Sequence, residues 1–323
     1  MKKLFAKTIC LAFFAAAVLA AIFYYAYFVM PPTFDDSYQK GFNYQYHALE
    51  RADGQPKIIV WGGSYVNFSV DSDLLASLSQ RPSYTLGINS AMGMSFVSES
   101  AKRFINKGDI LVFPFMPFWK NDFGMDLIYL CLEDDWDLFT HFAKKHPFAV
   151  AKSFPRAIFI KMYNVFHKGI KKNLLKKEAM ENPSYRADAF DKETGNYIFP
   201  RPSILPDISP AELEPSIRRD KDFINVTCFD VLNELNDFCK SKGAALYIAF
   251  PPAHKGSVAS SAKEKADYES YLKKNIDAPI ISTLSENEFP KDCIYNSAMH
   301  LNDKGVELYT KQLYEDLKRC NAL

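Results

Sequence analysis

Apolar residues run unbroken from Ile9 to Met30, then after Gln55 recur in short blocks separated by glycine, proline and polar clusters. The first run is long enough at about 1.5 Å per residue to span the roughly 30 Å hydrocarbon core of a bilayer. Pro31 and Pro32 end it. The later blocks alternate between two periods. Lys57-Ile58-Ile59-Val60-Trp61 is an apolar run closed by Gly62-Gly63, the pattern of a buried parallel strand meeting a tight turn. A helix is expected to start near Asp71 to Asp73, a strand over 84–88, a helix over 95–106 and a strand over 109–113. A helix over 225–242 closed by Gly243, a strand over 244–250, a further helix, a short strand over 279–282 and a final helix from Asn302 to about Cys320 follow. Alternation of this kind predicts an α/β fold, a three-layer α/β/α arrangement around a parallel sheet, with ligands beyond the carboxyl ends of the strands. Residues 33–55 read as a polar, aromatic connector.

Between the third and fourth strands lies an insertion at about 120–224, far longer than the roughly 2 to 6 residues usual in such units. The expected organisation is an N-terminal membrane anchor over 1–32 and one domain over 33–323 carrying this helical insertion. Within it, residues 141–177 hold ten Lys/Arg and no Asp or Glu, and Phe154, Ile158, Met162, Val165, Phe166, Ile170 and Leu174 recur at helical spacing. A basic amphipathic helix of this kind can pack on the domain with a solvated basic face, meet an anionic membrane surface, or meet an anionic polymer. Residues 182–215 form a proline-bearing loop region.

Charge fixes direction rather than class. Lys2, Lys3 and Lys7 precede the first apolar run and Asp35 and Asp36 follow it, so the positive-inside tendency predicts a cytoplasmic N-terminus and an extracytoplasmic domain, periplasmic or at the cell surface. A cleaved signal peptide would have a shorter apolar core, about 7 to 15 residues, and a small-x-small site; here the run closes on Ile22-Phe23-Tyr24-Tyr25-Ala26-Tyr27-Phe28. A formal net charge of +1 gives no reason to expect nucleic acid as a partner. The cysteines show no CxxC or Cys/His spacing, so no metal is expected; Cys10 falls in the anchor, the five others permit two disulfides and require none, and most read as small buried hydrophobes. No cofactor is expected.

Two short segments carry candidate chemistry. Val60-Trp61-Gly62-Gly63-Ser64-Tyr65 places a serine just past the first strand, where it is either a nucleophile or a helix cap. A Gly-x-Ser-x-Gly elbow would need glycine where Val66 stands, and a phosphate-binding loop would need Gly-Lys-Ser/Thr, so neither of those folds is indicated. At the other end, Asn296-Ser297-Ala298-Met299-His300-Leu301-Asn302 puts a histidine directly before the last helix, and imidazole suits proton transfer to and from a serine. His254, after Pro251-Pro252, is a second histidine expected at the same face.

An early Gly-Gly-Ser after the first strand paired with a late His-Leu-Asn-x-x-Gly resembles the SGNH (GDSL-like) hydrolase superfamily. More narrowly it resembles a membrane-anchored branch related to cell-envelope polysaccharide acetylation and D-alanyl transfer proteins. Phe68-Ser69-Val70-Asp71 is similar to that branch's Phe-Gly-Ile-Asp, and Leu86-Gly87-Ile88-Asn89-Ser90 is similar to its second block. The likeness spans about residues 56–115 and 226–320. It implies a flavodoxin-like SGNH fold, Ser64 as nucleophile, His300 as base, and oxyanion donors near Gly87 or Ser90. Three positions depart from the pattern. Asn296 stands where the acid is usual, Ser90 replaces a glycine, and Asn121-Asp122 is the only stand-in for the third block. The implied activity is that of a serine esterase or acyltransferase on an O-acyl group of an envelope glycan or other acylated polymer. The alternative is a catalytically weakened relative that binds polysaccharide or a membrane acyltransferase.

Overall fold

The computed structural model describes residues 2–52, 54–116, 124–133, 135–174, 182–219 and 224–323. In chain order the α-helices are α1 (Lys2–Tyr24), α2 (Gly41–Arg51), α3 (Ser64–Asn67), α4 (Ser72–Ser79), α5 (Met94–Lys102), α6 (Met125–Leu132), α7 (Trp136–Lys145), α8 (Pro147–Leu174), α9 (Thr227–Lys242), α10 (Ala262–Asn275) and α11 (Asp303–Arg319). The strands are β1 (Ile58–Trp61), β2 (Ser83–Leu86), β3 (Ile110–Pro114), β4 (Ala245–Ala249), β5 (Ala253–His254), β6 (Glu288–Phe289), β7 (Ile294–Ser297) and β8 (His300–Leu301). The chain divides into two compact units, Met1–Ser37 with Met125–Pro183, and Tyr38–Gly124 with Ser184–Leu323.

The larger unit is built on a parallel sheet in the order β2-β1-β3-β4. Every residue of β1 and β3 is buried, as their uninterrupted Ile, Leu and Val content requires when both faces are covered. β1 leads to β2 on one side, and the next connection crosses back over β1 to β3. Right-handed crossovers therefore put α4 on one face and α5 and α9 on the other. The contacts agree, since α4 packs with α11 and α5 with α9. This is the expected three-layer α/β/α architecture, with its change of winding at the carboxyl ends of β1 and β3. The strand expected over 279–282 contracts to a single parallel bridge, Ile248 to Ile280. Pro279 has no N–H to extend the ladder.

The helix ends follow local chemistry. Asp71 caps α4 by accepting from the Leu74 N–H, and Asn302 caps α11 by accepting from the Gly305 N–H. Gly243, at φ 73°, closes α9 in the left-handed conformation. The expected connector over 33–55 instead contains α2, whose Phe42, Gln45, Tyr46 and Leu49 are buried at helical spacing. At the amino ends of the strands, Lys57 Nζ and Asp109 Oδ2 form an ion pair at 2.9 Å with both side chains fully buried. Asp109 also accepts the backbone N–H groups of Lys57, at Oδ1, and Asn106, at Oδ2, so both carboxylate oxygens are engaged.

In the other unit, Leu4–Val29 is long and apolar enough to cross a membrane, with α1 passing into a π-helical turn at Tyr25–Val29. Helices α6 to α8 pack together. The expected basic helix is present as the end of α7 and α8; Lys176 and Lys177 lie outside the described residues. Lys161 is not on a solvated face. It is buried, and its Nζ lies 2.7 Å from Glu133 Oε2.

Candidate active site

Close backbone and side-chain contacts hold the turn after β1. The Gly62 N–H donates to Leu86 O at 2.9 Å, bringing the second block against the Gly-Gly-Ser segment. A side chain at Gly87 would place its Cβ 1.7 Å from Gly62 O, so the approach itself requires glycine there. Tyr65 Oη donates to Pro114 O at 2.8 Å, tying the start of α3 to the end of β3. Asn67 is buried, and its Nδ2 donates to Gly87 O at 2.6 Å and to Tyr38 Oη at 3.0 Å. Gln45, from α2, completes the frame by donating to Asn67 Oδ1 at 2.6 Å and accepting the Gly87 N–H at 3.0 Å. Ser64, at the head of α3, remains half-buried.

The distant chain end arrives as the β7–β8 hairpin, in which Ser297 pairs with His300. Its position is set by Leu301 N–H to Phe68 O at 3.1 Å and by Ser69 Oγ to Met299 O at 3.3 Å. The Glu212 carboxylate accepts the Ala298 N–H at 2.9 Å beneath the turn. These contacts bring His300 Nε2 to 3.1 Å from Ser64 Oγ, although the residues are 236 apart in sequence. The other ring nitrogen, Nδ1, lies 2.8 Å from Asn296 Oδ1. Asn296 Nδ2 in turn donates to Tyr185 Oη at 3.1 Å. An amide oxygen only accepts, so Nδ1 carries the proton and Nε2 is left bare to accept from the serine hydroxyl. The four side chains form one hydrogen-bonded line.

Electrostatics keep the imidazole neutral. His300 is buried and stacked on Phe68, with ring centroids 4.2 Å apart and planes 11° apart. Burial, and after it the positive charge of Arg201, lowers its pKa from 6.5 to about 3. Arg201 is itself buried; Nη1 donates to Asn67 O at 3.1 Å, and the guanidinium lies 4.8 Å from the Tyr197 ring centroid. Asp303, an acid that could have oriented His300, is engaged elsewhere. Both of its carboxylate oxygens accept the Arg201 backbone N–H at 3.0 Å, and Oδ1 lies 3.6 Å from Arg201 Nε. The arrangement can therefore remove a proton from Ser64, but its orienting group is an amide that holds the ring without offsetting the charge of an imidazolium.

The other expected site residues divide. The Gly87 N–H and carbonyl are both engaged in the Gln45–Asn67 frame. Ser90 opens a short 3-10 turn, Ser90–Met92, capped by Asn89 Oδ1 accepting the Ala91 N–H. Asn121 lies outside the described residues. His254 is buried, its Nδ1 lies 2.9 Å from Ser257 Oγ, and its backbone N–H donates to Ala298 O, so it braces the turn before His300. Tyr185, Arg201 and Glu212 were not singled out by the sequence; all three come from the aperiodic loop region. A cavity of about 370 Å³ opens next to Arg201 and Asp303, lined also by Val70, Asp71, Asp73 and Asn196. Ser64 and His300 are not among its lining residues. Among the described residues, no group of three or more His, Cys, Asp or Glu side chains could hold a metal ion.

No family model and no curated protein matches the chain. Among solved structures it is similar to the crystal structure of the protein YxiM from Bacillus subtilis, at 12% sequence identity and a TM-score of 0.36. The match covers 83% of this chain and 58% of that one, so this chain spans less than two thirds of the neighbour's length.

Proposed function

We propose that this chain is an SGNH-type serine esterase or acyltransferase in which Ser64 is the nucleophile and His300 the general base. The reading is carried by one observation, the 3.1 Å approach of His300 Nε2 to Ser64 Oγ at the carboxyl end of the first strand. Ser64 Oγ attacks an ester carbonyl while its proton passes to Nε2. Collapse of the tetrahedral intermediate expels the alcohol, which takes that proton, and leaves an acyl-serine. Water or an acceptor hydroxyl then resolves the acyl-serine, deprotonated by the same imidazole. The backbone N–H of Ser64 at the head of α3 and that of Ser90 are the proposed oxyanion donors, with Asn121 as a third. The resemblance of the Gly-Gly-Ser, second and His-Leu-Asn blocks supports an O-acyl group on an envelope glycan or related polymer as substrate. The apolar N-terminal helix supports a membrane-held setting, and Lys2, Lys3 and Lys7 before it with Asp35 and Asp36 after it support an extracytoplasmic domain.

Asn296 also favours a second reading, in which hydrolysis is weak and the same cleft binds an acylated polysaccharide or a membrane acyltransferase. The two are separated by turnover of a model acetyl ester by the full-length protein. The esterase reading expects turnover that Ser64→Ala abolishes, and Asn296→Asp to raise it about ten-fold or more by supplying the missing negative charge. Turnover equal in Ser64→Ala and the natural protein removes the esterase reading. Activity arising only in Asn296→Asp selects the binding reading.

A further inference from the structure

We propose that α8 lies in the membrane interface at the C-terminal end of α1, with its outward face in contact with lipid. The inference rests on α1 crossing a membrane, and concerns the unit formed by Met1–Ser37 and Met125–Pro183.

Helix α8 has two opposed apolar faces. One faces inward. Phe154, Ala157 and Ile158 are on this side, and Ile158 clusters with Ala26 and Tyr27 while Phe23 and Phe154 pack against that cluster. Ring centroids of Phe23 and Phe154 are 5.1 Å apart, and Lys161 Nζ sits 5.2 Å from the Tyr27 ring centroid while pairing with Glu133. The other side carries Phe148, Phe159 and Tyr163, which are 90%, 69% and 56% exposed, with Met162, 46% exposed, at its edge next to Ile158. These positions recur at 148, 159, 162 and 163, a helical stripe, and Lys152 and Arg156 lie along the same side. A helix that merely packed on a soluble domain would present water with polar residues there.

Depth follows from the inward contacts. Phe23 and Tyr27 are six and two residues before Val29, the end of the apolar span, or about 9 and 3 Å inside it along the helix axis. The side chains that grip them hold α8 at the level where an interfacial helix buries its apolar face, about 5–10 Å into the headgroup and acyl boundary. Trp136 of α7 joins the same collar, 5.7 Å from the Phe28 ring and 44% exposed. Tryptophan and tyrosine favour this zone, and the long stem of Lys152 can lie along the acyl chains with its charge among anionic headgroups, while Arg156 Nε lies 2.8 Å from Asp126 Oδ2. Continuity with the apolar span and Lys152 favour lipid over a second protein as the occupant.

The test uses the full-length protein in vesicles of phosphatidylethanolamine and phosphatidylglycerol containing a phospholipid with a diazirine on its acyl chain. After irradiation, adducts are mapped by mass spectrometry. The expected result is labelling of residues 4–29 together with peptides containing Phe148 and Phe159–Tyr163. Replacing Phe148 and Phe159 together by glutamate should lower α8 labelling several-fold and leave 4–29 labelled as before. Labelling confined to 4–29 overturns the inference alone, as does cross-linking of α8 to a second copy without lipid adducts. Absence of label from 4–29 overturns the membrane-spanning reading and the inference with it.

Discussion

At the scale of single residues, His300 decides how the site responds to pH. Its pKa is lowered in the folded chain to about 3, by burial first and Arg201 second, against 6.5 for an ordinary histidine. Between those values the unfolded chain binds a proton that the folded one refuses, so this residue's contribution to stability is present above about pH 6.5 and is lost as pH falls below it. The imidazole itself stays neutral through that window. The expected kcat/KM profile on a model ester therefore shows no acid limb near pH 6.5, with the decline moved toward pH 3 as far as the fold survives. A limb centred at about 6.5 would mean that the imidazole is exposed and unstacked. Tyr185 acts one step further out, by fixing the Asn296 amide so that its oxygen faces His300. Tyr185→Phe removes one neutral hydrogen bond of about 1 kcal/mol, and is expected to lower kcat about five-fold with KM unchanged. Equal losses in kcat for Tyr185→Phe and a distant surface variant would contradict that role. Ser64 and His300 were legible in the sequence because each sits beside a structural break, the first after Gly62-Gly63 and the second before the Asn302 cap. Tyr185 and Arg201 were not, since their roles depend on where an aperiodic loop folds back.

At the scale of elements, the four strands of the main sheet were legible because burial on both faces leaves unbroken apolar runs, and each lies within about two residues of its expected place, whereas the short β5–β6 pair was not expected. Helix α2 was hidden by its polarity. Gln45 interrupts its apolar stripe, yet that residue is what joins Asn67 to Gly87. The frame at the other end of the sheet depends on the buried Lys57–Asp109 pair. Asp109→Ala would leave the Lys57 ammonium buried without its partner, and is expected to cost about 3–5 kcal/mol in chemical denaturation of the detergent-solubilised protein. Replacing Lys57 and Asp109 together by methionine and leucine should cost much less. A loss for the double variant as large as for Asp109→Ala would show that the pair stabilises through more than mutual compensation.

At the scale of the whole molecule, the hundred-residue insertion was legible in length and charge but not in its allegiance. Residues 125–183 cluster with the N-terminal segment, whereas the chain from Ser184 onward belongs with the sheet. Periodicity shows that a helix has an apolar stripe without showing what covers it. For α8 the stripe runs from the buried Ile158 to Met162, which is 46% exposed, so only part of it is covered. The central claim joins residues from the two ends of the larger unit into one reacting pair. Its most direct measurement is covalent labelling of the full-length protein by a fluorophosphonate, with the adduct located by mass spectrometry. The account predicts a single adduct on Ser64, absent in Ser64→Ala and formed far more slowly in His300→Ala. Folded protein that takes no label, or takes it equally in Ser64→Ala, would contradict it.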